Sequence, residues 1–495
     1  MADPAETTAQ SSERSRGLTR RSLLGGGAAG ALGIAISGSL GPLARAGGAE
    51  VAAAAGDGIG YGPLVDDPAG LLSLPKRFHY TVLAKSGVTL LESGHVSPDN
   101  YDGTAAFPRP GGGTILVTNH EIRPPTPENP NPIGVPHVAD LVYDPGVHGG
   151  TTTIEVDDEI GRLTEYVSLA GSSTNCAGGR TPWNTWLTCE ETFSPAGATL
   201  PHGYVFEVDP YDRAANKNPT PIIALGRFEH EAVAVDPDTG QIYETEDANN
   251  PHGLLYRWTP PASAVPLGKG VLRSLAPNAG VLAAMKAFDS AGAFVPDLCV
   301  ATQPGTTYDV TWVAVPNRNP ASAFVRRQFN GVWNDTTFTD RAGGDITRSR
   351  KLEGAWWGDG GAYVVASFAR ADDGSAVQHD GQVWFLDPLE NTLTLKLRFA
   401  YTPTDATDPD GPDNISVSPY GGVILAEDGA GRQHLVGATA TGETYFLARN
   451  DYGDGSGEMT GPTFSASKAT LFANLFSPGH VYAINGPWRR VGRDG

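Results

Sequence analysis

The stretch His230-Glu-Ala-Val-Ala-Val-Asp-Pro-Asp-Thr-Gly240-Gln-Ile-Tyr-Glu-Thr-Glu246-Asp247 decides the fold class. A short run of alternating apolar residues meets an Asp-Pro-Asp-Thr-Gly turn, and a second alternating run then ends on two acids. Period-two alternation on both sides of a tight turn reads as an antiparallel pair of strands. Gly253-Leu-Leu-Tyr-Arg-Trp258 follows as a third strand.

The same arrangement recurs along the chain. Thr114-Ile-Leu-Val-Thr-Asn-His120-Glu121 is one copy, and Asn175 through Trp186-Leu-Thr-Cys189-Glu190-Glu191 is another. Glu353-Gly-Ala-Trp-Trp-Gly358 with Ala362–Phe368 is a further copy, and Asn414 through Val423-Ile-Leu-Ala-Glu427-Asp428 is the last clear one. Their second strands end near 121, 190, 246, 367 and 427, and the long third gap has Tyr308–Val315 in its middle. That spacing predicts about six units of three or four strands. Such units cannot bury their faces alone, so the expectation is an all-β, six-bladed β-propeller. Composition agrees: with 63 Gly and 39 Pro in 495 residues, helical bundles and coiled coils are excluded. The 9 Trp, 16 Tyr and 17 Phe are enough to fill cores, which excludes a disordered chain.

Charge narrows the partners. Lys and Arg total 35 against 55 Asp and Glu, a formal net of −20, which repels nucleic acid and anionic membranes. Thr19-Arg20-Arg21-Ser22-Leu23-Leu24 precedes a Gly/Ala-rich apolar run and Ala44-Arg45-Ala46. This reads as a twin-arginine export signal over 1–46 that engages the twin-arginine machinery. A lead-in over 47–75 and a single propeller over 76–495 follow, with no stable membrane span. The protein is expected to be a periplasmic or extracellular monomer.

In a propeller, corresponding positions of the blades converge on a central channel. One converging set opens the first strands: Asn175, Glu231, Glu353 and Asn414. The other ends the second strands: Glu121, Glu190, Glu191, Glu246, Asp247, Glu427 and Asp428. So many carboxylates in one mouth require cations, and oxygen donors suit Ca²⁺. Cys189 beside Glu190 and Glu191 reads as a thiolate for a transition metal such as iron, or else as a small buried hydrophobe. His120 and His230 adjoin these acids, so their side chains are expected on the opposite strand face.

Leu74-Pro-Lys-Arg-Phe78, Cys189-Glu190-Glu191, Phe228-Glu-His-Glu231, Lys351-Leu-Glu353-Gly354, Asp413-Asn414 and Glu427-Asp428-Gly429, together with the export signal, resemble the PhoX-type alkaline phosphatases. The resemblance runs over about 60–490. It implies an Fe³⁺–calcium cluster at the channel mouth and hydrolysis of phosphate monoesters by a metal-bound oxide or hydroxide. Cys189, Glu190, Glu191, Glu231, Glu246, Asp247, Glu353, Glu427 and Asp428 become its candidate ligands, with Glu121, Asn175 and Asn414 as weaker ones. Lys351 becomes the substrate-phosphate contact, acting with Glu353. The other readings are a calcium-dependent propeller lactonase or phosphotriesterase-like hydrolase, and an exported metal-braced binding module.

Overall fold

A computed structural model describes residues 59–125, 129–249, 252–322, 324–329, 345–370, 375–401 and 408–491. Contacts divide the chain into Met1–Ala44, which lies outside the described residues together with the expected export signal, and Arg45–Gly495. Among the described residues the only α-helix is the single turn Val271–Ser274, and no helix is long and apolar enough to cross a membrane.

The strands form antiparallel ladders whose two innermost strands can be labelled in chain order. They are β1 (Tyr101–Pro108) with β2 (Thr114–His120), β3 (Asn175–Arg180) with β4 (Trp186–Glu190), and β5 (His230–Val235) with β6 (Ile242–Glu246). The next are β7 (Leu352–Gly358) with β8 (Gly361–Ala366), β9 (Pro412–Val417) with β10 (Val423–Glu427), and β11 (Met459–Phe464) with β12 (Thr470–Leu475). The inner strands pack in a closed cycle, β1 on β3, β3 on β5, then β7, β9, β11 and back to β1. This is a propeller. The last ladder takes its outermost strand from the start of the chain, because His79–Lys85 pairs with His480–Asn485 and closes the ring. Strands from two distant parts of the chain thus share one ladder, a common way of closing a ring of blades.

Hydrogen bonding departs from six separate blades. Among the described residues the strands make five sheets, one of eleven strands, because Thr307–Ala314 pairs with Val281–Phe288 on one side and with Thr392–Phe399 on the other. The segment expected to mark a unit of its own is therefore an outer bridge between the β5 and β7 ladders. Its alternating exposed and buried residues fit a strand with one wet face. The unit missed by the repeat spacing is the β11 ladder. The stretch expected as a lead-in also supplies strands: Leu72–Pro75 pairs with Thr444–Asn450, and Leu64–Val65 pairs with Leu72–Pro75.

The core sits between neighbouring ladders. Leu83, Tyr101, Leu116, Phe472 and Val481 interlock across the ring closure, while Trp186, Trp258 and Trp384 are fully buried. Nearer the axis, two positions leave no room for a side chain between strands. A Cβ on Gly354 would lie 2.6 Å from the Asp413 carbonyl oxygen, and one on Gly103 would lie 2.6 Å from Ala177 Cα. Only glycine permits that approach.

Gly354→Val is expected to cost about 1–3 kcal/mol by overpacking against backbone. Gly268→Val, where a new Cβ meets nothing within 4 Å, is expected to stay within about 0.5 kcal/mol. Urea midpoints of the two variants check this.

Candidate metal centre

Each inner strand breaks register with its neighbour near the start. Tyr101 pairs with His120 and the next pair is Thr104 with Thr118, so Asp102 and Gly103 face one residue of β2. The same bulge holds Cys176-Ala177, Glu231-Ala232, Glu353-Gly354 and Asp413-Asn414. In β11 the irregularity falls one residue later, at Gly461-Pro462, and brings no acid. A bulge re-aims the residue it carries. Here it brings one chemically active residue of each of five ladders into a common neighbourhood, backed by a small or amide side chain that lets the next strand come close.

The second source is the residue just past the end of the second strand: Glu121 after β2, Glu191 after β4, Asp247 after β6 and Asp428 after β10. Ligand atoms of these two sources, joined by Glu458 just ahead of β11, gather in overlapping groups, each within 4.8 Å: Glu121, Cys176 and Glu191; Glu191, Glu231 and Asp247; Glu231, Glu353 and Asp413; Asp413, Asp428 and Glu458. Shared members make the groups one continuous arc. Its thiol end holds Cys176, whose Sγ donates to Glu191 Oε2 at 2.9 Å. The opposite end is all carboxylate.

Electrostatically, the arc is compatible with bound cations. Glu231 is fully buried, and neither of its oxygens has a hydrogen-bond partner. Burial pushes its carboxyl well above the ordinary range, and Glu353 and Glu191 push it the same way. Burial likewise raises the Cys176 thiol, with Glu191 and Glu231 adding to it. A partnerless buried carboxylate among other carboxylates is costly unless positive charge arrives. Two side chains supply some. Lys351 Nζ bonds Asp247 and lies 3.0 Å from Glu353 Oε1. Arg123 bonds Glu121 through Nε at 2.8 Å and through Nη2, and reaches Glu191 Oε2 at 2.7 Å. Metal ions fit the remaining donors: carboxylates for hard cations along the arc, and one thiol for a softer one.

Six of the residues expected from sequence are brought together in these groups: Glu121, Glu191, Glu231, Asp247, Glu353 and Asp428. Lys351 lies beside them, held at a φ of +41°, a backbone conformation that costs a non-glycine residue energy. Six others are elsewhere. Glu190, Glu246 and Glu427 are the last residues of their strands and point to the opposite face. Glu190 accepts from His202 at 2.7 Å and from the Ser173, Gly203 and Tyr204 amides. Glu246 is held by Arg326 and Tyr256, each at 2.8 Å, and Glu427 by the His434 ring at 2.9 Å. Asn175 bonds Ser172 and Thr188, and Asn414 links Asp413 to the Gly461 amide.

Cys189 is the main correction. It is fully buried in an apolar cluster with Leu187, Val205 and Phe228 and belongs to none of the donor groups. Its place precedes the strand end, as Asn119 does in β2, and Asn119 turns towards the neighbouring strand to hold the Cys176 carbonyl at 2.8 Å. The histidines lie on the opposite face as expected. His120 bonds Thr152 at 2.8 Å, and His230 stacks on Phe228 with Glu244 3.3 Å away. Sequence reasoning missed Cys176, Asp413 and Glu458, and also Asp102, whose charge reaches Cys176 and Glu231. Aligning the copies one residue over would have put Cys176 and Asp413 in register with Glu231 and Glu353.

A family model described as alkaline phosphatase PhoX matches residues 59–165 and 159–479. Among solved structures, Pseudomonas fluorescens PhoX in complex with vanadate, a transition state analogue, aligns with a TM-score of 0.61 at 18% identity. That alignment covers 87% of this chain and 98% of that one. A gluconolactonase from Xanthomonas campestris aligns with a TM-score of 0.41 at 11% identity, over 86% and 99% of the two chains. No curated protein matches the chain.

The placement of the two thiols yields a test. Cys176→Ala is expected to lower the bound transition metal measured by elemental analysis. Cys189→Ala should keep the metal and cost only about 1 kcal/mol of stability.

Proposed function

The chain belongs to the alkaline phosphatase PhoX family and is a phosphatase, and we propose that it hydrolyses phosphate monoesters at the arc running from Glu121 to Glu458. The observation that carries this reading is Glu231, a buried carboxylate without a partner at the junction of two donor groups. Iron is assigned to the Glu121–Cys176–Glu191 end, where a thiolate can ligate it. Calcium is assigned to the carboxylate-only groups that include Asp413, Asp428 and Glu458. Bound cations supply Lewis-acid polarisation of the phosphoryl oxygens and neutralise charge on the leaving oxygen.

The chain's own residues set the rest. A phosphate dianion approaching a protein of net −20 needs local positive charge. Lys351 offers an ammonium at the arc, with its side chain 11% exposed. Asp247 and Glu353 would hold a cation beside it, and Lys351 would offer its ammonium to a phosphoryl oxygen, where charge grows as the P–O bond breaks. The bulges and the glycines behind them hold the donors rigidly, so little reorganisation accompanies the reaction. The twin-arginine stretch at Arg20-Arg21 supports export to the periplasm or beyond, where phosphate esters are encountered outside the cytoplasm.

Protein loaded with iron and calcium is expected to release phosphate from an aryl phosphate monoester and to lose that activity on chelation. Lys351→Ala is expected to lower kcat/KM by about 100-fold with bound metal unchanged. Full activity in protein stripped of all metal would overturn the reading. Chelation is also expected to lower the melting temperature, with recovery that depends on the concentration of added metal.

A further inference from the structure

Resting on that reading, we propose that Arg123 is a second substrate-phosphate ligand, serving the Glu121–Glu191 end of the arc as Lys351 serves the Asp247–Glu353 stretch. Arg123 follows β2 by three residues, and its side chain is 42% exposed, against 2% for Glu121 and 9% for Glu191. It is thus a solvent-facing guanidinium fastened to two carboxylates that belong to the thiol-containing donor group. The Glu191 oxygen it holds, Oε2, is also the one that accepts from Cys176.

Two cations cannot use the same carboxylate oxygens equally. A metal ion bound among Glu121, Cys176 and Glu191 removes the charge that holds Arg123 down and repels the guanidinium. Arg123 has solvent to move into, and its long side chain keeps it over the mouth. The ligand that chemistry brings to this mouth is a tetrahedral phosphate, and a planar guanidinium binds two phosphate oxygens side by side. An exposed ion pair alone contributes little to stability, so a purely structural role for Arg123 predicts little change when it is removed. A substrate role predicts a specific change in phosphate affinity.

The test compares metal-loaded wild type, Arg123→Gln and Arg123→Lys, with an aryl phosphate as substrate and inorganic phosphate as competitor. Arg123→Gln is expected to raise KM and the inhibition constant of phosphate roughly 10- to 100-fold, with a smaller fall in kcat. Elemental analysis should find wild-type metal content, and Arg123→Lys should recover part of the affinity. Unchanged KM and inhibition constant in fully metallated Arg123→Gln would overturn the proposal. So would a loss of metal that accounts for the whole defect. Calorimetric titration of inorganic phosphate into the loaded proteins separates this proposal from the phosphatase reading, since it requires no turnover. Weaker phosphate binding in Arg123→Gln supports the ligand role, and equal binding refutes it.

Discussion

Two residues of an inner strand facing one residue of its neighbour is the constraint on which this structure depends. The bulge occurs at the same point in five ladders, over Asp102, Cys176, Glu231, Glu353 and Asp413. Without the extra residue, strict alternation would send the next side chain into the space between blades. The bulge also explains the small residues beside it. With Gly103 and Gly354 against neighbouring backbone, the inner strands draw in until donor atoms on different ladders lie within 4.8 Å of one another. Fold and site are therefore one solution. The close packing that seals the channel is what brings the donors together.

Concentrated negative charge opposes that packing, and the chain answers it in two layers. Acids that face away from the arc are saturated by the protein itself: Glu190 by His202 and three amides, Glu246 by Arg326 and Tyr256, Glu427 by His434. These tie down the loops that carry Glu191, Asp247 and Asp428. Within the arc, Glu353 and Asp247 meet Lys351, Glu121 and Glu191 meet Arg123, and Glu231 has no hydrogen-bond partner for either oxygen. The division is sharp at each strand end, where consecutive residues have opposite roles: Glu190 braces while Glu191 offers its oxygens, and the same holds for Glu246 with Asp247 and Glu427 with Asp428. Alternation of strand faces produces that division at no further cost in sequence.

Much of this was legible in the sequence, and the errors share one cause. Alternating runs closed by Asp-Pro and Gly announced antiparallel ladders around an axis. Spacing failed where it met a strand without a turn partner, so Thr307–Ala314 was read as a unit although it bridges two outer edges. The last ladder escaped because its fourth strand comes from the start of the chain, which no local pattern reveals. Paired acids at strand ends marked the right places, but a pattern of period two cannot say which of two neighbours faces the axis. A bulge shifts that phase silently. Asn175 was therefore read for Cys176 and Asn414 for Asp413. Glu231 and Glu353 were found because their own copies happened to be aligned on the bulged residue.

The exchange of Cys189 for Cys176 follows from the same phase and carries a chemical consequence. Both thiols are fully buried, and burial raises both well above the ordinary thiol range. Environment separates them. Cys189 has Leu187, Val205 and Phe228 around it, where ionisation has nothing to stabilise it. Cys176 has Glu191 at 2.9 Å and belongs to a group open to a cation. Carboxylate neighbours disfavour the thiolate, so a bound cation would be what stabilises it, with the proton released to solvent. That places one soft donor at one end of an otherwise hard arc, next to the exposed guanidinium of Arg123. The donor set is therefore asymmetric along the arc, even though its ladders repeat the same backbone.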